Sequence, residues 1–470
     1  MNKHRIYWIL TVSVFTAVLF PTLAQDGMFL DGVTYSAISR NLADGLGSFS
    51  HPHYTKTLYA DFNEHPPLVF ILQSFFFRLF GDAFYTERLF SLFMAILTAW
   101  GITMCWKTFA DEKLRPCTWI PVLLWLLVPL VSWSYKNNML ENTMGMFSIF
   151  SVLFILKSLD EGKISYLLVG SILLVLACLS KGLTGLFPMA VPILYILIYK
   201  ENSSIKWYSL YLVLFTLSIL YLLYLLFPDL RDNVTSYLKQ QLIPALNNER
   251  EITVTNRFRI LFNLLLDLSL PIIILIFVGA KQWVKNRDYS FWKDRRALLF
   301  LLIAFAASIP LIITLKQRKY YLVPSIPFYA LSISYFIAPY LQAWIELPSK
   351  STLRWIRRGS LLILIVLIAL SVSKYGSFSR DKDMLKDVYA ISHAIPKGTI
   401  IGTSKDLAKD WALIAYMSRI GYLSLDADDE HNFYMAPKSK PMNSAIYDKY
   451  LILDLDLKKY VILKKKPPTI

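Results

Sequence analysis

The chain has 470 residues, 55% of them hydrophobic and 15% aromatic, and carries a formal net charge of +16. A soluble domain has about 45–50% apolar residues, so this composition marks a polytopic membrane protein. The positive charge does not indicate nucleic-acid binding, because the basic residues cluster in short loops between apolar runs.

Runs of roughly 17–25 apolar residues suffice to cross the hydrocarbon layer, and about eleven can be placed. They lie near 6–24, 84–106, 117–133, 142–157, 165–180, 184–199, 207–228, 260–280, 297–315, 322–345 and 359–375. The first follows a basic start, Met1 to Arg5, and ends in Thr22-Leu23-Ala24. It reads either as a retained anchor or as a cleaved signal peptide, and the further spans behind it favour the anchor.

The segment after that span is organised. Residues 31–45 form an expected amphipathic helix along the membrane surface, with Asp31 as N-cap, Tyr35, Ile38 and Leu42 on one face, and Gly45 and Gly47 ending it. Pro66-Pro67 then opens Leu68 to Phe80, too short to cross but long enough to lie in the interface. Residues 25–83 are therefore expected to be a folded first loop. A second surface helix is expected within 229–257, around Tyr237, Leu238, Leu242 and Ile243.

After Tyr375 the composition becomes that of a soluble α/β domain. Lys382 to Ala394 and Leu407 to Met417 have helical periodicity, while Thr399 to Thr403, Tyr447 to Asp454 and Lys459 to Leu463 read as strands. The expected division is a transmembrane domain over 1–375 and a soluble domain over 376–470. Cys105, Cys117 and Cys178 lie in or beside spans at spacings that suggest neither a disulfide framework nor a zinc site. The Lys464-Lys465-Lys466 run fits a solvated tail better than a contact with anionic lipid.

If the spans alternate, Lys3, Arg5, Lys107, Lys113, Arg115, Lys157, Lys163, Lys200, Lys206, the 281–296 group, Lys350, Arg354, Arg357 and Arg358 share one side. By the positive-inside rule that side is cytoplasmic. Asp31, Glu64, Lys136, Lys181, the 229–257 loop, Lys316 to Lys319 and everything beyond 376 then lie outside. The expected location is the inner (plasma) membrane, multi-pass, with site and C-terminus extracytoplasmic.

Ionisable groups beside hydrocarbon cost about 2.5–3.5 kcal/mol at a helix centre and less near the interface, so their persistence points to function. Asp31 serves equally as a helix cap and as a general base that takes a proton from an attacking hydroxyl. Glu64, followed by His65-Pro66-Pro67, and Glu141, at a hairpin, each combine a helix-start reading with a catalytic one. Lys181 reads as a snorkelling lysine or as a cation facing the same surface. The densest cationic motif is Lys316-Gln317-Arg318-Lys319-Tyr320-Tyr321, which runs against the positive-inside bias and is better explained by an anion. Arginine offers a fork to phosphate oxygens and lysine a point charge.

In order, Asp31 with Tyr35 and Arg40, Glu64 with Pro66-Pro67-Leu68, Arg88 and Ser91, Glu141, Lys181-Gly182, and the basic stretch running to Pro324 and Pro327 resemble the GT-C-type integral membrane glycosyltransferases. The resemblance is to the group that includes protein O-mannosyltransferases and lipid A aminoarabinose transferases, and it covers about the first 330 residues. The chain departs from the pattern at Gly32, where a second acid is common, at His65, where lysine is common, and at Glu141, where aspartate is usual.

The resemblance implies an α-helical polytopic fold, a polyprenyl-phosphate-linked sugar donor with its tail between spans, and a lipid, glycan or protein hydroxyl as acceptor. It further implies Asp31, Glu64 and Glu141 as catalytic carboxylates, and Lys181, Lys316, Arg318, Tyr320 and Tyr321 at the donor phosphate. Tyr35, Arg40, His65 and Arg88 would position the acceptor or the loops. Phosphate is a good leaving group and fixed cations stabilise it, so no cofactor is required. A divalent metal near Glu64 stays optional. A transporter or flippase for a lipid-linked anion would use the same cations without a base, but would carry broken helices and polar midplane residues. A catalytically idle scaffold that binds a partner through its outer domain accounts for neither Asp31 nor the cationic loop.

The expected topology is testable by labelling intact cells with an impermeant thiol reagent after replacing the three native cysteines. Lys440→Cys should react and Lys293→Cys should not. The reverse pattern would overturn the arrangement.

Overall fold

The computed structural model describes residues 3–200, 204–247, 249, 251–286, 290–427, 431–440 and 444–467. Met1 and Asn2 of the basic start, residues 287–289 of the 281–296 group and the last three residues of the expected soluble domain lie outside the described residues. The chain divides into two compact units. The first comprises Met1–Pro21, Glu64–Val69 and Ser91–Ser373; the second comprises Thr22–Asn63, Phe70–Phe90 and Lys374–Ile470.

The first unit is a helical bundle. Among the described residues the chain has 8 helices long and apolar enough to cross a membrane, or up to 10 if each of two bent pairs is one span. Two expected spans are therefore broken and a third is short. The 117–133 run bends by 75° between Arg115–Leu126 and Pro129–Lys136. Val128, preceding a proline, is driven to extended backbone (φ −80°, ψ 115°), and Pro129 brings no N–H to the ladder. The 260–280 run bends by 64° between Arg259–Asp267 and Ser269–Val284, where Pro271 removes a donor from the first turn. Residues 184–199 form the shorter apolar segment Leu183–Tyr199, whose first part, Leu183–Ala190, is a 3₁₀ turn containing Pro188. The Lys350–Ser373 helix presents Leu362, Ile363, Ile365 and Val366 outward, as a lipid-facing span should.

Leu140–Glu161 and Ile164–Lys181 make an antiparallel hairpin, turned by Gly162 in the left-handed region at φ 68°. The start of the first helix and the end of the second therefore meet at one end of the bundle. Gly145 lets that first helix approach the 319–325 turn, since a Cβ there would stand 3.3 Å from the Pro324 backbone.

The second unit joins the first loop to the C-terminal segment. A five-stranded sheet is formed by β1 (Ile400–Thr403), β2 (Ser424–Asp426), β3 (Phe433–Pro437), β4 (Tyr450–Ile452) and β5 (Tyr460–Lys465), in the order β2-β1-β3-β5-β4. β1 runs parallel to β2 and β3, while β5 is antiparallel to β3 and β4. Lys382–Ala394 is a helix as expected, and its buried Asp387 accepts backbone N–H bonds from Lys458, Lys459 and Tyr460, fixing the entry into β5. The expected strand over 447–454 is instead the end of a short helix, Ser444–Lys449, followed by β4.

The helix expected at 31–45 spans Leu30–Ala43, but it is not a surface helix. Every residue from Gly32 to Leu42 is buried, because the Trp411–Gly421 helix covers the face left polar in the amphipathic reading. Arg40 is the tie: fully buried, it donates to the carbonyls of Ser418 (2.8 Å) and Arg419 (3.2 Å) and lies against the Tyr422 ring. Arg419 in turn pairs with Glu87 at 2.9 Å. Phe29, not Asp31, holds the N-cap position, and Asp31 falls in the first turn, where a carboxylate meets the positive end of the helix dipole.

Candidate functional site

The hairpin geometry creates a polar centre at one end of the bundle. Glu141, in the first turn of its helix, and Lys181, at the last position of its own, form an ion pair with Nζ–Oε1 of 3.1 Å and side chains 1% and 9% exposed. Each sits at the helix end whose dipole favours its charge. The Lys181 ammonium also lies 5.9 Å from the Tyr320 ring centre and 5.7 Å from that of Tyr321.

Around this pair lies a cavity of about 730 Å³, lined among others by Glu64, His65, Gln241, Thr314, Lys316 and Tyr321. Gln241 reaches Glu64 at 3.4 Å. The cavity thus brings together six of the residues picked from sequence: Glu64, His65, Glu141, Lys181, Lys316 and Tyr321. With two lysines and a tyrosine, it can hold an oxyanion the size of a phosphate.

The rest of the cationic motif faces elsewhere. Arg318 is exposed and reaches Glu251 at 3.4 Å, and Lys319 pairs with Asp267 at 3.5 Å. Tyr320 is buried and stacks on Trp133 at 5.7 Å, so it supports the turn that carries Tyr321. Gln317, which sequence reading passed over, shapes this loop. Its amide donates to the carbonyls of Arg257 (2.7 Å) and Thr314 (3.1 Å), its oxygen accepts from the Ile260 N–H (3.1 Å), and Thr253 bridges its backbone on both sides. An amide alternating with bases was the one signal available. Tyr237, Gln241, Thr184 and Thr314 were likewise unassigned, because their approach to the cavity is long-range.

A second, apolar cavity of about 1100 Å³ is lined by Pro66, Leu183, Leu186, Leu220, Leu223 and further residues of the 230–238 segment. It opens along exposed leucines of the Ser204–Leu226 helix, a surface suited to hydrocarbon.

Asp31 belongs to the second unit. It is half-buried beside Tyr54, whose phenol is raised from its ordinary value chiefly by burial, with the Asp31 charge adding to the effect. Tyr54 therefore stays neutral there, sharing a hydrogen bond of 3.3 Å with Thr34. Tyr35 packs against Phe70 at 5.9 Å, and Arg88 donates to the Gly27 carbonyl at 2.6 Å. Together with Arg40, these residues order the loops of their own unit. Among the described residues no group of three or more His, Cys, Asp or Glu side chains could hold a metal ion.

Residues 64–227 match the model of the dolichyl-phosphate-mannose-protein mannosyltransferase family. Among solved structures, ArnT from Cupriavidus metallidurans bound to undecaprenyl phosphate is similar over 98% of each chain, at 15% identity and a TM-score of 0.67. The same protein in the apo state gives 16%, 97% of each chain and 0.66. The archaeal oligosaccharyltransferase AglB from Archaeoglobus fulgidus, in complex with an inhibitory peptide and a dolichol-phosphate, is similar over 93% of this chain and 70% of its own, at 11% and 0.50. No curated protein sequence matches the chain. The chain shares its fold with ArnT and with AglB, and its 64–227 segment resembles that mannosyltransferase family.

Removing one partner of a buried ion pair leaves the other charge uncompensated, at about 3–5 kcal/mol. Glu141→Ala should therefore lower stability by about that amount in thermal unfolding of the purified protein, and Glu141→Gln combined with Lys181→Met should recover most of it. Additive losses in the double variant would show that the two side chains are not coupled.

Proposed function

We propose that this enzyme transfers a sugar from a polyprenyl-phosphate donor to a hydroxyl of a lipid, glycan or protein acceptor, with inversion, at the outer face of the membrane. The observation that carries this reading is a lysine-bearing polar cavity adjoining an apolar groove of about 1100 Å³, a pairing that suits a phosphate with a long hydrocarbon tail. A fold shared with an enzyme solved bound to undecaprenyl phosphate supports it.

In the proposed reaction the acceptor oxygen attacks the anomeric carbon while the Asp31 carboxylate takes its proton. The bond from that carbon to the phosphate oxygen breaks on the opposite side, which inverts the centre. The bond's electrons leave with the lipid phosphate, which passes from one negative charge to two. Lys181 and Lys316 stabilise the charge as it develops, the effect that fixed cations deliver most strongly in a water-poor site. No step requires a metal or an organic cofactor. The two bent helix pairs are what a transporter would display, yet fold and family match are those of transferases.

Placement of the cations predicts unequal effects. Lys316→Ala should weaken undecaprenyl phosphate binding by about 1.5–3 kcal/mol, the worth of a charge-assisted hydrogen bond. Arg318→Ala, exposed and directed at Glu251, should change it by about 0–1 kcal/mol. Equal losses, measured by titration of the purified protein, would contradict this assignment of the phosphate.

Asp31→Asn preserves shape and should leave folding and donor binding intact while lowering transfer by about 10²–10⁴. The test is sugar transfer by the purified variant beside wild type with one polyprenyl-phosphate donor. Near-normal turnover would reject Asp31 as the base. Donor movement across vesicles without any transfer by wild type would favour the transporter.

A further inference from the structure

The lysine-bearing cavity and the apolar groove adjoin and share a lining residue. Three stretches change character across a single peptide bond or nearly so. Glu64 and His65 line the polar cavity and Pro66 the groove; Lys181 lines the polar cavity and Gly182 and Leu183 the groove; Tyr237 lines both.

Tyr237 reaches this position because residue 182 has no side chain. Gly182 adopts φ 93° and ψ −157°, a conformation reserved for glycine. A Cβ there would overlap the Tyr237 hydroxyl and stand 2.6 Å from its Cζ, so the phenol end fills the volume a side chain at 182 would take. Tyr237 ends the Pro228–Tyr237 helix, and the next turn, Leu238–Leu242, is a π-helix, a local widening that recurs at functional sites. That turn carries Leu238 on the groove and Gln241 on the polar cavity, where it reaches Glu64.

We propose that Tyr237 is the lipid-binding residue that registers the donor at this boundary. Its ring packs against the first isoprenoid unit, so that the phosphate stays with Lys181 and Lys316 while the hydrocarbon begins in the groove. A phosphate without a lipid gains nothing from the ring, and a longer tail gains no more from it than a short one. The inference rests on the polyprenyl-phosphate reading of the site and assigns its boundary to one residue.

The test is equilibrium binding of three probes to the full-length purified protein: undecaprenyl phosphate, geranyl phosphate and inorganic phosphate. Tyr237→Ala should weaken both prenyl phosphates about tenfold, the loss expected when an aromatic contact of this kind is removed, and leave inorganic phosphate within about twofold. Tyr237→Phe keeps the ring and should stay within about threefold of wild type for all three. A Tyr237→Ala protein that binds prenyl phosphates as wild type does would overturn the proposal. So would a loss confined to undecaprenyl phosphate, which would mean that the groove had collapsed along its length. If wild type binds neither prenyl phosphate, the reading of the whole site fails and the role of Tyr237 falls with it.

Discussion

The ion pair of Glu141 with Lys181 is the constraint on which the site depends. Two helices of 22 and 18 residues joined by a tight left-handed turn must bring the start of one to the end of the other, and the two charges stand there 3.1 Å apart. Burial would make either charge alone costly, whereas together, and with helix dipoles of matching sign, they persist. The pair fixes the height of the lysine against Tyr321 and Lys316, and with it the floor of the polar cavity. Gly145 on the same helix admits the 319–325 turn, which carries Tyr321.

That floor also explains why only part of the cationic loop faces the cavity. The Gln317 side chain holds the loop by hydrogen bonds toward Arg257, Thr314 and Ile260, and this geometry leaves Lys316 on the cavity side while Arg318 and Lys319 meet Glu251 and Asp267. In the proposed reaction Lys316, added to Lys181, offsets the extra charge that the departing phosphate acquires. A neutral amide thus decides which base faces the cavity.

Hydropathy made the membrane class and most spans legible, because a run of apolar residues has the same meaning wherever it packs. The proline at 129 and the one at 271 were visible too, yet how far a helix bends depends on its neighbours. The Leu30–Ala43 helix shows the limit more sharply. Its polar positions suggested a surface helix with Asp31 as cap, whereas Arg40 finds carbonyl partners some 380 residues away in sequence and buries the whole segment. The first loop and the C-terminal segment form one unit for that reason, and no local pattern reports it. Cavity residues were found from sequence where they carried charge, as with Glu64, Lys181 and Lys316. Gln317, Gln241 and Tyr237 act through shape and hydrogen bonding and gave no comparable signal.

The central claim is that the lysine-lined cavity and the apolar groove together hold a lipid phosphate. An experimental structure of the full-length protein with undecaprenyl phosphate tests it most directly. The account predicts phosphate density within hydrogen-bond reach of Lys181 or Lys316, with the first isoprenoid unit against Tyr237 and the tail running past Leu183 and Leu220. Phosphate density elsewhere, for example beside Arg296 at the cavity lined by Tyr195 and Tyr199, with the groove at Leu220 empty, would contradict it.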